Sequence, residues 1–260
     1  MHPKHKTVII TGASAGIGAA TARCFAQAGA NLVLAARDTQ RLEELRRSLP
    51  GRHMAVPTDV SNAEAVQALV AQAAAAFDSV DIVISNAGLG LAAPVATLRP
   101  EDVRQAMDVN LMGSLFLTQA ALPHMRRIGR GQLMFVSSVV GLRALPYLGG
   151  YAASKAALDR LTEALRVELH GSGIAVTLFR PGNTATGFSQ RRLGTGHERR
   201  LRNTRAARPE QVAQALLRAA IREPRVAYVQ TADQLLTWVG LLFPGLTDWM
   251  LGRSFRWEDS

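Results

Sequence analysis

The chain has 260 residues, of which 48% are hydrophobic and 19% charged, so it can form one large packed domain and is neither intrinsically disordered nor fibrous. Its one cysteine, Cys24, excludes an internal disulfide, and no group of cysteines and histidines has the spacing of a metal site. More than half of the formal net charge of +10 comes from one short arginine-rich segment without interleaved aromatic residues, so we expect no nucleic-acid binding.

The N-terminal residues contain no secretory signal, because only three apolar residues, Val8 to Ile10, precede the turn at Thr11 and Gly12. We therefore expect a cytoplasmic protein. The longest apolar stretch, residues 235–251, is interrupted by Pro244, so we expect no transmembrane helix there.

Short β-branched runs alternate with longer helical patterns, which predicts an α/β fold, a doubly wound parallel sheet with helices on both faces. The predicted strands lie near residues 7–11, 31–36, 53–57, 81–85, 132–138, 175–180 and 227–230. The predicted helices lie near residues 16–28, 39–49, 62–77, 101–128, 152–170 and 209–222. Ser61 and Glu64 predict a capping box at the start of the third helix.

We expect residues 1–260 to form a single domain with two attachments. A basic loop lies at about 184–208, and an apolar C-terminal extension at about 231–260. The loop interrupts the alternation of strands and helices, which is typical of a mobile segment.

Three glycines, Gly12, Gly16 and Gly18, lie in TGASAGIG, where the first strand runs into the first helix. Glycines at such a turn let the backbone approach a pyrophosphate, whose charge the helix N-terminus stabilises. A tight connection without a ligand needs the same glycines, and the spacing differs from G-x-G-x-x-G. The turn indicates a dinucleotide site only together with other features.

The end of the second strand lacks the acidic residue that binds the ribose hydroxyls of NAD. That position is Ala36, and Arg37 follows it. Ala36 removes a repulsive carboxylate and Arg37 offers a planar guanidinium to a 2′-phosphate, so the pattern favours NADP(H) over NAD(H). An ordinary surface arginine is the alternative, and Asp38, one position later, keeps NAD(H) open.

Tyr151 and Lys155 lie in GYAASKAAL, where a helix places them one turn apart on the same face. The chain has only three tyrosines and three lysines, so such a pair is not expected by chance. An ammonium about 6 Å from a phenol, at an effective dielectric constant of about 20, stabilises the phenolate by about 3 kcal/mol and lowers its pKa by about two units. The pair predicts a tyrosine that exchanges a proton with an alcohol or carbonyl oxygen during hydride transfer.

In their order along the chain, these motifs resemble those of the short-chain dehydrogenase/reductase family. The resemblance rests on TGASAGIG, Asp59-Val60, Asn86-Ala87-Gly88, Asn110, Ser138, Tyr151 with Lys155, and Pro181-Gly182. It implies the strand order 3-2-1-4-5-6-7, a site at the carboxyl ends of the strands, and a homodimer or homotetramer formed through the helices near 101–128 and 152–170.

The resemblance implies that Tyr151 is the acid/base and that Ser138 hydrogen-bonds the substrate oxygen. Lys155 is implied to hold the nicotinamide ribose and lower the pKa of Tyr151, and Asn110 to position a water that relays protons. Ser137 is the alternative hydroxyl, but neighbouring strand residues face opposite ways, so only one can face the site, and the family's spacing favours Ser138.

The resemblance also implies the cofactor contacts, with Asp59 and Val60 at the adenine and Pro181, Gly182 and Thr184 at the nicotinamide carboxamide. The implied cofactor-binding residues are Gly12, Ser14, Gly16, Ile17, Gly18, Arg37, Asp59, Val60, Asn86, Ala87, Gly88, Tyr151, Lys155, Pro181, Gly182 and Thr184.

Two segments lie outside these motifs. In the basic loop, an anionic substrate could be attracted by four arginines, with a solvated loop as the alternative. These are Arg191, Arg192, Arg199 and Arg200. The C-terminal segment holds Trp238 and Trp249, and we favour packing over the cleft or a subunit contact over contact with a membrane interface.

The sequence thus predicts an NADP(H)-dependent oxidoreductase that interconverts a carbonyl and a primary or secondary alcohol. A lipophilic or acyl-type small molecule is the expected substrate, and no metal is expected. The alternative is a non-catalytic NADP(H)-binding sensor or scaffold of the same fold, which has no use for an activated phenol.

Overall fold

The structure, a computed structural model, describes residues 1–195 and 206–254. The strands are β1 (Thr7–Thr11), β2 (Asn31–Ala36), β3 (His53–Pro57), β4 (Ile82–Ser85), β5 (Gly131–Val136), β6 (Ile174–Arg180) and β7 (Val226–Tyr228). The α-helices are α1 (Gly16–Gln27), α2 (Thr39–Ser48), α3 (Ala63–Phe77), α4 (Pro100–Met107), α5 (Gly113–Ile128), α6 (Gly149–Glu168), α7 (Pro209–Arg222), α8 (Thr231–Leu242) and α9 (Pro244–Ser254).

These strands form one parallel sheet in the order β3-β2-β1-β4-β5-β6-β7, which confirms the predicted fold class and strand order. β1 and β4 are neighbours, and the order in which successive strands are added to the sheet reverses between them. At such a switch point the loops at the carboxyl ends of the strands diverge and leave a crevice for a ligand.

The sheet is buried on both faces, as its apolar strands predict. Val8 and Ile10 of β1 pack with α1, α2 and α7, whereas Ile9 enters the layer formed with α3, α5 and α6. This alternation follows from the period of two residues in a strand. The two hydrophobic clusters hold the helices against both faces of the sheet, so the polar loops at the strand ends are attached to a packed core.

The helix predicted near 101–128 is confirmed in extent, because helical backbone runs from Pro100 to Ile128, but a π-helical turn over residues 108–112, which was not predicted, separates α4 from α5. β5 ends at Val136, two residues before the predicted end. α6 begins at Gly149, so Tyr151 lies in its first turn.

The predicted capping box was also wrong. The side chain of Asn62 caps α3 by accepting from the backbone N–H of Ala65 at 2.8 Å. The hydroxyl of Ser61 instead donates to Asp59. The apolar C-terminal extension, to which the sequence analysis assigned no secondary structure, contains α8 and α9.

Candidate active site

The turn between β1 and α1 is compact because glycines allow close backbone approach. Gly12 has a φ of +65°, and a Cβ there would lie 2.9 Å from the Cα of Ala87. A Cβ on Gly18 would overlap the carbonyl oxygen of Gly12. Ala15, which precedes α1, offers no side-chain cap, so the first N–H groups of α1 are not capped by a side chain there.

Thr11 ties the ends of β1 and β4 together, a role that the sequence analysis did not assign. Its hydroxyl accepts from the backbone N–H groups of Asn86 and Ala87, each at 3.0 Å. The Asn86 side chain donates to the Thr11 carbonyl at 2.9 Å. The loop after β4 is therefore fixed beside the glycine turn, where Ser14 and Ile17 are partly exposed.

Arg37 and Asp59 share one corner of this edge of the sheet. Arg37 is exposed directly after β2, and the carboxylate of Asp59 accepts from the N–H and hydroxyl of Ser61 at 3.0 and 2.7 Å. These bonds, with the positive charge of Arg37, lower the pKa of Asp59. Val60 beside it is buried and packs against Gly113.

Ser138, Tyr151 and Lys155 converge where β5 ends and α6 begins. The ammonium of Lys155 lies 5.9 Å from the centre of the Tyr151 ring and donates to the carbonyl of Val136 at 2.9 Å. The side chain of Ser138 lies beside the Tyr151 phenol and lowers its pKa. Ser137 points the other way, and its hydroxyl donates to Asp159.

Burial dominates the acidity of this cluster. It raises the pKa of Tyr151 to about 12, although the side chain of Ser138 acts in the opposite direction. It lowers the pKa of Lys155 to about 8, although the charge of Asp159 raises it. The expected lowering of the phenol pKa by the lysine is therefore not the net effect here, because the desolvation of the phenolate raises that pKa.

Asn110 is fully buried in the π-helical turn and fixes the loop after β4. Its amide donates to the Leu89 carbonyl and to the Ser154 hydroxyl, each at 2.9 Å, and its oxygen accepts from the Leu89 N–H at 2.7 Å. Gly88 lies between Asn110 and Lys155, because a Cβ on Gly88 would be 3.3 Å from the Asn110 side-chain oxygen and 3.6 Å from the Lys155 nitrogen. The relay water at Asn110 stays a prediction.

The segment after β6 crosses the site from the glycine turn to Tyr151. The carbonyl of Pro181 accepts from the Val139 N–H at 3.2 Å, and the hydroxyl of Thr184 donates to the Gly182 carbonyl at 3.2 Å. Thr186 lies beside the glycine turn, because a Cβ on Gly16 would be 3.3 Å from the methyl carbon of Thr186.

The same segment places an aromatic ring that the sequence analysis missed. The Phe188 ring lies 5.8 Å from that of Tyr151 at 57°. Its only signal in the sequence was an aromatic residue soon after Pro181-Gly182.

In the described part of the basic loop, two arginine side chains donate to backbone carbonyls of the same segment. Arg191 and Arg192 donate to the carbonyls of Gly187 and Ser189, at 3.3 and 3.0 Å. Arg199 and Arg200 lie outside the described residues, so the attraction of an anionic substrate stays a prediction.

A buried ionic network behind Lys155 was also missed. The Arg180 guanidinium donates to Asp159 at 2.8 and 3.1 Å, and the two side chains are 6% and 0% exposed. Arg180 also donates to the Tyr228 hydroxyl at 3.3 Å. The network joins α6 to β5, β6 and β7 directly beneath the cluster. Over residues 1–195 and 206–254, no group of three or more His, Cys, Asp or Glu side chains could hold a metal ion.

Comparison with known proteins gives a consistent picture. Residues 6–195 match the family described as short chain dehydrogenase. The chain is 32% identical over 260 residues to the fruit fly (Drosophila melanogaster) dehydrogenase/reductase SDR family protein 7-like, covering 95% of this chain and 80% of that protein. It is 35% identical over 226 residues to dehydrogenase/reductase SDR family member 7B of Xenopus laevis, covering 82% and 70%.

Two solved structures are also similar. A short chain dehydrogenase/reductase from Burkholderia phymatum in complex with NAD has a TM-score of 0.84 and 26% identity, with 95% of this chain and 96% of that one covered. An alcohol dehydrogenase from Thermococcus sibiricus complexed with 5-hydroxy-NADP has a TM-score of 0.73 and 31% identity, with 86% and 94% covered.

Proposed function

The chain belongs to the short-chain dehydrogenase family of oxidoreductases, and from this premise we propose that it interconverts a carbonyl and an alcohol with NADP(H) and uses Tyr151 as the acid/base. The observation that carries the proposal is the convergence of Ser138 and Lys155 on one partly buried phenol. A non-catalytic sensor has no use for that arrangement, so we do not favour it.

Burial assigns the proton to Tyr151 at neutral pH, because its pKa of about 12 keeps the phenol protonated. In the reducing direction the phenol donates this proton to the carbonyl oxygen, which also accepts from the Ser138 hydroxyl. The ammonium of Lys155 stabilises the phenolate that remains. In the other direction the phenolate takes the proton of the alcohol. A bound nicotinamide supplies or accepts the hydride.

The residues around the switch point fit a dinucleotide. The glycine turn and the uncapped start of α1 suit a pyrophosphate, because the N–H groups there need an anionic or polar acceptor. Of the three N–H groups of Lys155, one donates to Val136, which leaves two for ribose hydroxyls. Asp59 lies at the corner proposed for the adenine.

Arg37 supports NADP(H) over NAD(H). Ala36, the last residue of β2, brings no carboxylate to repel a 2′-phosphate, and the guanidinium of Arg37 is exposed beside it. One of the similar structures contains NAD and another 5-hydroxy-NADP, so the preference rests on this corner of the chain.

Three further expectations belong to this proposal. The protein acts in the cytoplasm, its subunits form a homodimer or homotetramer, and its substrate is a lipophilic or acyl-type small molecule. Size-exclusion chromatography with light scattering measures the second directly, and a single monomeric species would contradict it.

The cofactor proposal is tested by binding and turnover together. NADPH and NADH affinities are measured by calorimetry, and aldehydes, ketones and 3-oxoacyl thioesters are then screened with both. We expect tighter binding and faster turnover with NADPH. Arg37→Ser lowers NADPH affinity by roughly 10-fold or more, the worth of one charge-assisted hydrogen bond, and leaves NADH affinity unchanged.

The matched control is Arg47→Ser, which removes an exposed arginine from the same region, on α2, with a side chain 73% exposed. It leaves both affinities unchanged. Tighter binding of NADH than NADPH would contradict the cofactor assignment, and binding of neither would contradict the proposed function.

A further inference from the structure

Most of the large apolar side chains that are exposed in the described residues lie on α8, on α9 and at the break between them. Leu235 and Leu242 are 66% and 67% exposed, and Trp238 and Trp249 are 53% and 59% exposed. We define the C-terminal apolar face as Leu235, Trp238, Val239, Leu241, Leu242, Phe243, Leu246, Trp249 and Met250.

Among the described side chains of α8, the ones that face inward are polar or small. Asp233 accepts from backbone N–H groups of Gln230 and Gly182, Thr237 is buried, and Gly240 packs against Arg143. A surface helix of a soluble protein normally has the opposite arrangement, with its apolar side on the core. Apolar side chains on the outside, concentrated over so few residues, indicate a surface that meets another apolar phase.

The two helices are held against the body of the protein and do not form one straight span. Among the described residues no single helix is long and apolar enough to cross a membrane, and the pair α8 and α9 meets that requirement only together, with a bend of 111° at the break. The pairing of Arg143 with Asp248 fastens α9, as Asp233 fastens α8. The two helices therefore form an apolar surface on the protein rather than one membrane-spanning helix.

The composition of this face matches a lipid interface. Two tryptophans lie on it, and the guanidinium of Arg253 stacks over Trp249 at 4.8 Å. Tryptophan prefers the headgroup region, and arginine beside it attracts anionic headgroups. The carboxylates of α8 and α9, Asp233 and Asp248, are engaged by protein groups, and the chain has a formal net charge of +10. A lipid surface is favoured over a second copy of the chain, because tryptophans with an arginine beside them suit a headgroup region.

The inner side of α8 adjoins the candidate active site. Asp233 contacts Gly182 in the turn after β6, and Gly240 contacts Arg143, five residues beyond Ser138. A bilayer on the outer side of α8 would therefore lie close to the entrance of the site.

We propose that the C-terminal apolar face seats the protein on an anionic lipid surface, from which the site takes a lipophilic carbonyl or alcohol. The second part rests on the proposed function, whereas the first part does not.

The test is co-flotation of the full chain with vesicles of phosphatidylcholine, with and without phosphatidylglycerol. We expect binding to the anionic vesicles that weakens with added salt. The double variant Trp238→Ser and Trp249→Ser lowers this binding at least 10-fold, because both indoles that would enter the headgroup region are removed. The control, Val167→Ser, removes an exposed apolar side chain on α6 and leaves binding unchanged.

Activity separates this proposal from the proposed function. The double variant retains wild-type turnover of a water-soluble carbonyl and loses turnover of a long-chain ketone embedded in vesicles. Absence of vesicle binding by the folded wild type would overturn the proposal, as would unchanged binding by the double variant. Self-association that the double variant abolishes, without vesicle binding, would assign the face to a second copy and overturn it as well.

Discussion

The chemistry of single residues depends on how much water the fold excludes around Tyr151 and Lys155. The same burial raises the pKa of the phenol to about 12 and lowers that of the ammonium to about 8. At neutral pH both groups are protonated, which prepares the site for proton donation to a carbonyl. The sequence predicted which residues meet. It did not predict the sign of the change in the tyrosine pKa, because that depends on solvent exclusion by β5, α6 and Phe188.

The pH dependence of the two directions follows from these pKa values. Reduction needs the protonated phenol and the Lys155 ammonium that stabilises the resulting phenolate, so we expect its kcat/KM to stay constant through neutral pH and to fall above about pH 8. Oxidation needs the phenolate and should rise with pH. Above about pH 8 the loss of the Lys155 charge raises the tyrosine pKa further, so the rise becomes shallower. Steady-state profiles in both directions test this, and oxidation that is independent of pH would contradict it.

The pair of Asp159 and Arg180 supports the site through stability. Asp159→Asn leaves the Arg180 charge buried without its counter-ion, so we expect the free energy of unfolding to fall by about 3–5 kcal/mol. Glu163→Gln is the matched control, because it removes a carboxylate of the same helix from an exposed pair with Arg160 and changes stability by less than about 1 kcal/mol. Urea unfolding measures both, and equal losses would refute the special role of the buried pair.

At the scale of elements, periodicity predicted the strands closely, because each central strand is a short apolar run between turn residues. It missed the π-helical turn between α4 and α5, since the helical pattern continues through residues 108–112. The turn is accompanied by bonds from Asn110 to Leu89 and Ser154, which are distant in sequence. It also missed α8 and α9, whose apolar side chains face outward, so no alternation with polar surface residues marks them.

The glycine turn gives a prediction about an element. Gly18→Ala places a methyl group against the Gly12 carbonyl, so the turn must shift and α1 moves from its position. We expect NADPH affinity to fall at least 10-fold, together with a lower unfolding midpoint. Gly252→Ala is the control, since a Cβ there meets nothing within 4 Å, and it should keep affinity and gain up to about 1 kcal/mol of stability. Unchanged NADPH affinity in Gly18→Ala would contradict the role of the turn.

The whole molecule brings residues from Gly12 to Phe188 to one edge of a parallel sheet. Short-range patterns predict this assembly, because parallel strands separated by helices must end at the same edge and the order reverses between β1 and β4. What they do not predict is which surface the molecule turns to its surroundings. That depends on α8 and α9, which pack on the turns after β5 and β6 through Arg143, Asp233 and Asp248.

The central claim is that Tyr151 transfers the proton, and single-turnover reduction of a carbonyl by Tyr151→Phe with bound NADPH tests it most directly. The phenyl ring fills the same space, so we expect the folded variant to bind NADPH as the wild type does. Its reduction rate should be lower by roughly 10²–10⁴-fold, the usual contribution of a general acid. Reduction by the variant at the wild-type rate would contradict the account.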